Sequence, residues 1–253
     1  MHDESLVGEF SHQAESFNRS QAANAPETLA ALVELADPQP GERWLEAACG
    51  PGVVARALSP RAGAVHGVDL TPAMVELARR EAAELENVSF SVGDATALDE
   101  PDGAFDGALA RFTLHHVPVP ARLVEELARV VRPGGAVVLA DHLLDEDPDA
   151  AAWSQELERL RDPSHWVSLP LERLRALGTD AGLRLETEAI VPLALDLGEW
   201  LERGSGYAVA RPLLERMLAA PPASARRFVV EGETLTMTWW AARFRRPGGP
   251  SQG

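Results

Sequence analysis

Lysine is absent from this chain: all 23 cationic side chains among its 253 residues are arginine. That excludes chemistry built on a lysine amine, such as a Schiff base with pyridoxal phosphate or the lysine of a phosphate-binding loop or kinase. Cysteine occurs once, as Cys49, so no internal disulfide can form, and the reducing cytoplasm is the expected compartment. No apolar run approaches the roughly 20 residues of a membrane span. The acidic start Met1-His2-Asp3-Glu4 is not followed by the apolar stretch of a secretory signal. Positive charge is scarce, with 23 arginines against 39 acidic residues and a net charge of −16. Such a field repels a phosphate backbone, so no nucleic-acid partner is expected, Arg226-Arg227 and Arg243-Arg245-Arg246 notwithstanding.

What is present is an alternating rhythm. Up to Asp37 the chain reads as two helices, with Phe10, Ala14 and Phe17 at helical spacing and Pro26 in a first helical turn. Strands are expected at Arg43–Ala48, Ala64–Asp69, Val88–Val92, Phe105–Ala110 and Ala136–Ala140. Helices at Val53–Leu58, Pro72–Leu85 and Ala121–Val131 separate them, which implies a parallel sheet with helices on both faces. Beyond Asp141 the pattern is mostly helical (Asp147–Arg161, Leu171–Ala181, Asp196–Arg203, Ala208–Ala219), with one strand at Leu183–Val191. The stretch His142 to Pro222 is long for a connection and is expected to form a lid. Strands at Phe228–Val230 and Leu235–Phe244 follow, the latter carrying Trp239 and Trp240 on opposite faces, and the tail from Pro247 to Gly253 is expected to be disordered.

One segment combines a strand with a tight turn of small residues: Trp44-Leu45-Glu46-Ala47-Ala48-Cys49-Gly50-Pro51-Gly52. Small residues let the backbone approach a ligand at the carboxyl end of a parallel strand. Gly50, Gly52 and Ala55 also fit a dinucleotide fingerprint, so the turn alone leaves a nicotinamide cofactor open. Two further acids narrow the choice. Asp69 ends the next strand, where a ribose-binding carboxylate is expected, and Asp94 ends the one after, where it can accept from an adenine amino group. Glu46 would repel a pyrophosphate and suits the cationic amino group of a methionine. Three acids at three successive strand ends therefore describe a cationic nucleoside cofactor without phosphates, S-adenosylmethionine (SAM), whose demethylated product is S-adenosylhomocysteine (SAH).

The chain resembles the class I SAM-dependent methyltransferases, in particular the ubiquinone/menaquinone-biosynthesis type, from about Phe10 to Gly182. The matching pieces are Leu45–Gly52, Gly67-Val68-Asp69-Leu70-Thr71-Pro72-Ala73-Met74, Gly93-Asp94-Ala95, Phe105-Asp106, Arg111-Phe112-Thr113-Leu114-His115-His116-Val117 and Arg132-Pro133-Gly134-Gly135. Arg161-Asp162-Pro163-Ser164-His165 resembles a run in its small-molecule members. The resemblance implies an α/β, Rossmann-like fold with a mostly parallel seven-stranded sheet, helices on both faces, N-terminal helices and a helical lid insertion. On that basis residues 1–253 form one domain: an N-terminal helical cap at 1–40, a cofactor-binding core at 41–141, a lid and acceptor region with one core strand at 142–222, and a terminal strand region at 228–246.

It also implies that Glu46 and the turn Ala48 to Gly52, with Gly50, hold the methionine part and Asp69 the ribose. Leu70 and Met74 flank the adenine, Asp94 and Ala95 read its edge, and Phe17 closes over the cofactor. Arg111 joins this set and, with Trp153, Trp166 and Trp200, is a candidate for lining the acceptor pocket. Ala48 stands where many class I enzymes have glycine, and Glu46 where aspartate is commoner.

Cys49 reads as a small buried turn residue rather than a nucleophile. His115, His116, His142 and His165 lie at strand ends or in the lid; no ligand pair with zinc spacing is present, and no metal is expected. As general base, His142 beside Asp141 is the first candidate and His116 the second. After the fourth strand stands Ala110-Arg111-Phe112, not the Asn-Pro-Pro-aromatic turn used on nucleobase amines. The expected acceptor is a small molecule methylated on oxygen or carbon, of phenol, quinone or specialised-metabolite type, and the enzyme a monomer or homodimer. Alternatives are a SAM-binding enzyme of the same fold that cyclises or eliminates, a nicotinamide oxidoreductase, and a binding protein without catalysis.

Overall fold

The computed structural model describes residues 2–248. Three helices open the chain, α1 (His2–Arg19), α2 (Gln21–Asn24) and α3 (Pro26–Ala36). The extra break comes at Ser20, whose hydroxyl accepts from Ala23 N at 3.2 Å and starts the short α2. Ala25, not Asn24, precedes Pro26 as the cap of α3; the Asn24 amide instead donates back to Asn18 O and Ser20 O.

The alternating part follows as β1 (Arg43–Ala47), α4 (Val53–Leu58), β2 (Ala64–Asp69), α5 (Pro72–Glu81), β3 (Val88–Val92), β4 (Phe105–Arg111), α6 (Pro120–Val130) and β5 (Val131–His142). The second part contains α7 (Pro148–Arg161), α8 (Leu171–Asp180), β6 (Arg184–Asp196), α9 (Leu197–Arg203), α10 (Tyr207–Leu218), β7 (Phe228–Glu231) and β8 (Thr234–Arg245). The continuous path β3-β2-β1-β4-β5-β8-β6 contains the seven strands expected, parallel from β3 to β5 and antiparallel beyond. An eighth, β7, pairs with the first four residues of β8 on the side that β5 takes further along, from Trp239 to Arg245.

Pro133-Gly134-Gly135 forms a bulge inside β5, because Phe105 pairs with Val131 and Gly107 with Ala136. Gly135 permits it: a Cβ there would stand 2.4 Å from Asp106 O. Trp239 and Trp240 are both buried, on opposite faces of β8, as the strand period requires. The Trp240 indole donates to Glu188 at 2.8 Å. No helix among the described residues is long and apolar enough to cross a membrane. Pro247 and the residue after it carry no regular structure, and 249–253 lie outside the described residues.

Because β1 to β5 are parallel, their carboxyl ends share one edge of the sheet. That edge carries Glu46, Asp69, Arg111, Asp141 and His142.

Candidate active site

A cleft opens at this edge, where open α/β sheets bind their ligands. All the expected cofactor residues line it except Gly52: Phe17, Glu46, Ala48, Gly50, Asp69, Leu70, Met74, Asp94, Ala95 and Arg111. Gly52 acts from behind. It caps α4 with φ 71°, and a Cβ there would lie 2.5 Å from the Phe90 ring. The glycine therefore lets the turn seat against the core rather than against a ligand.

The three acids are held differently. Glu46 is buried, and its Oε2 accepts from Ala55 N at 2.7 Å, in the first turn of α4. Burial raises its pKa to about 8, an effect that the nearby Arg111 guanidinium partly offsets. Asp69 spans the turns after β1 and β2, accepting from Gly50 N at 2.7 Å and from Thr71 N at 2.8 Å; burial raises its pKa as well. Asp94 is exposed, and Oδ1 accepts from Thr96 N and Oγ1. Opposite them, Arg111 donates from Nη2 to Ala23 O at 3.0 Å, while its buried Nη1 has no partner. Burial lowers the Arg111 pKa to about 10, which leaves it charged at neutral pH. The cleft thus offers an acid for an ammonium, a spare guanidinium nitrogen for a carboxylate, and acids for hydroxyls and an amine. The amino-acid and nucleoside halves of SAM present those groups. Two non-glycine residues adopt left-handed backbone here, Ala48 (φ 52°) and Phe112 (φ 54°), at the ends of β1 and β4. Such strain concentrates where backbone shapes a ligand site.

A second, smaller cavity adjoins the first, and Phe10, Phe17, Phe112 and His116 line both. Deeper walls come from His115, His142, Arg161, Arg203, Trp200 and Met237. Of the three tryptophans considered for an acceptor pocket only Trp200 is here. Trp166 is 46% exposed, and Trp153 packs edge-on against Phe228 while donating to Met217 O.

The Asp141–His142 couple expected from adjacency does not form. The Asp141 carboxylate accepts from the His142 backbone N at 2.7 Å and pairs instead with His115 Nδ1 at 2.5 Å. The His142 imidazole stacks on the His115 ring at 4.6 Å and makes no hydrogen bond to its neighbour's carboxylate. Burial drives the His142 pKa down to about 3, helped by His115 and only partly countered by Glu158 and Asp141. It lines the second cavity, not the first.

His116 stands between the cavities. Its Nδ1 lies 3.2 Å from Ser164 O and 3.1 Å from Ser164 Oγ. Ser164 gives its one hydroxyl proton to Asp162 at 2.5 Å, so both of its oxygens present lone pairs to His116. This network assigns the neutral ring's proton to Nδ1 and leaves Nε2 as the basic nitrogen. The run Arg161–His165 thereby orients a histidine on another element, which sequence spacing does not reveal. Phe10, 4.9 Å from the His116 ring, closes the junction from α1, a role that its helical spacing with Phe17 suggested only in outline.

Residues 45–139 match the family model described as a methyltransferase domain. The chain is 34% identical over 197 residues to YcgJ of Bacillus subtilis, an uncharacterized methyltransferase, across 77% of this chain and 78% of that protein. The crystal structure of YcgJ superimposes with a TM-score of 0.81 at 28% identity, covering 88% of this chain and 99% of that one. The phosphatidylethanolamine N-methyltransferase of Cereibacter sphaeroides is 38% identical over 140 residues, 54% of this chain and 68% of that protein. The 27-O-demethylrifamycin SV methyltransferase of Amycolatopsis mediterranei is 33% identical over 153 residues, 58% and 56% of the respective chains. Those two names specify different acceptor atoms, so the likeness fixes cofactor chemistry and not the acceptor. With its strand-end acids, its cleft and these relatives, the chain belongs to the class I SAM-dependent methyltransferases.

Proposed function

We propose that this enzyme transfers the methyl group of SAM to an oxygen or carbon of a small-molecule acceptor of phenol, quinone or specialised-metabolite type. The observation that carries the reading is the shared wall: Phe10, Phe17, Phe112 and His116 separate the acid-lined cleft from a smaller aromatic and histidine-lined cavity. The net charge of −16 disfavours nucleic acid, and the enclosure by residues 142–222 serves as lid and acceptor region over the 41–141 core.

SAM supplies a methyl carbon activated by the positive sulfur. In this reading Glu46 and Arg111 hold the two ends of its amino-acid part, Asp69 the ribose and Asp94 the adenine edge. Leu70 and Met74 flank the adenine, and Phe17 closes the cleft from the cap at residues 1–40. His116 Nε2 accepts the acceptor's proton, while Ser164 and Asp162 fix the ring. Asp141 orients His115, and His142 walls the cavity. The proton passes to His116, the methyl joins the acceptor atom, and the sulfur leaves as neutral SAH. Positioning does most of the work, with the base adding about 10²–10⁴-fold.

The test uses SAM carrying a ¹³C-labelled methyl and a panel of phenols, hydroquinones, enols and primary amines, with NMR of the labelled methyl reporting its new partner atom. Label on oxygen or carbon supports the reading. Label only on amine nitrogen, or only on co-purified protein or nucleic acid, overturns it. Acceptor converted without label would favour the non-methylating alternative.

A further inference from the structure

One group of donors that no stretch of sequence brings together takes no part in the proton transfer above. His115 lies in the turn after β4, and Asp141 and His142 end β5, the adjacent parallel strand. One donor atom from each lies within 4.8 Å of those of the other two. The His115 and His142 rings stack at 4.6 Å, 16° from parallel, and His165 comes within 5.6 Å of His115. The environment is dry: His115, Asp141 and His165 are all buried. The second observation is an unmet valence. Nδ1 of His142 is buried and has no hydrogen-bond partner, although polar nitrogens in protein interiors are normally paired.

We propose that His115, Asp141 and His142 form a binding site for a divalent cation of the zinc class, open towards the second cavity. Two imidazoles and one carboxylate match such ions, which bind nitrogen at about 2.0–2.1 Å and oxygen at about 2.0–2.2 Å and leave a fourth position for water or substrate. In a tetrahedral shell those bond lengths place donors about 3.3 Å apart, so the three groups converge by at most about 1.5 Å. Rotation about side-chain bonds supplies that much. If His115 binds through Nδ1, which now faces Asp141, its proton moves to Nε2 and no net proton is lost. If it binds through Nε2, the Asp141 contact remains and fixes the ring, as carboxylates beside metal-bound histidines do.

Both histidines line the cavity between the lid and β5, so the fourth ligand comes from whatever occupies it. Taking the acceptor reading above, that ligand is an acceptor oxygen, and a bound cation lowers the energy of its anionic form. Binding of the ion itself does not depend on that reading.

The experiment uses the full chain, dialysed against EDTA and then titrated with Co²⁺, followed by visible d–d absorption. In parallel, Zn²⁺ retained after gel filtration is measured by mass spectrometry. The expected result is about one ion per chain, with a cobalt spectrum of low coordination number. His142→Ala and His115→Ala should each weaken binding by more than the 10–100-fold that outer-shell changes typically cost. His66→Ala, on β2 away from the group, should bind as the wild type. SAH-induced thermal stabilisation reports that each variant is folded, and His142→Asn replaces His142→Ala if that protein fails to fold. Less than about a tenth of an ion per chain, or equal affinity in the wild type and both cluster variants, overturns the site. Either result leaves the methyl-transfer reading standing, because no turnover enters the measurement.

Discussion

The cofactor cleft and the adjoining cavity are built by opposite strategies. In the cleft, each acid is tied to backbone within about ten residues, Asp94 to Thr96, Glu46 to Ala55 and Asp69 to Thr71, and Asp69 also reaches Gly50 in the turn after β1. Around the cavity the ties are long: His115 to Asp141, His116 to Ser164 and Gln13 to Asp162. Local ties preserve a site through changes elsewhere, and they leave a motif that spacing can display. Long ties let one cofactor site be paired with many different acceptor walls.

The largest expected effect tests the local half. Asp69→Ala removes an acceptor of about two charged hydrogen bonds to the ribose, each worth about 1.5–3 kcal/mol, so SAM affinity should fall by about 100-fold or more. It also frees Gly50 N and Thr71 N, so isothermal titration should be paired with circular dichroism. Unchanged affinity in a folded protein would remove the ribose role. Next comes the long-range half. His116→Ala should lower kcat by about 10²-fold, and single-turnover kinetics would show the loss in the chemical step. A third variant breaks the contact between α1 and the turn after α9. The buried Glu9 carboxylate accepts from Ser205 N and Oγ and from Gln13 Nε2. Glu9→Ala should cost about 1–3 kcal/mol, read as a drop of a few degrees or more in Tm by calorimetry. A Tm equal to that of the wild type would show that the cap is not held there.

How much of this was legible follows from the same division. The strand limits of β1, β2 and β3, the three acids and the small-residue turn stood in the sequence, because strand period and turn chemistry act over a few residues. The bulge at Gly134-Gly135 did not, since it is set by the pairing with β4, and neither did the short α2, which one serine hydroxyl starts. Adjacency misled at Asp141: the partner of its carboxylate is His115, 26 positions earlier, and His142 stacks on that ring.

Two smaller effects sharpen the comparison. With a pKa raised to about 8, Glu46 is protonated at pH 7 in the free protein. The unfolded carboxyl ionises near 4.5, so this burial opposes folding increasingly as pH rises from 4.5 towards 8. A cationic amino group arriving beside Glu46 should lower that pKa and expel up to about one proton. Binding heats measured at pH 7 in phosphate and in Tris should then differ by that proton's buffer ionisation heat. Equal heats would place the ammonium elsewhere. Smallest of all, Ala48→Gly relieves a left-handed φ of 52° and should leave SAM affinity intact while changing stability by no more than about 1 kcal/mol, measured by urea unfolding.

The most direct test of the division crosses the two sites. SAH dissociation constants and kcat at saturating SAM should be measured on the same preparations of Asp69→Ala and His116→Ala. The account predicts that the dissociation constant rises about 100-fold or more in Asp69→Ala and stays within about twofold of wild type in His116→Ala, whose kcat falls about 10²-fold. If His116→Ala weakens SAH as much as Asp69→Ala does, or turns over like the wild type, the two cavities do not divide the work.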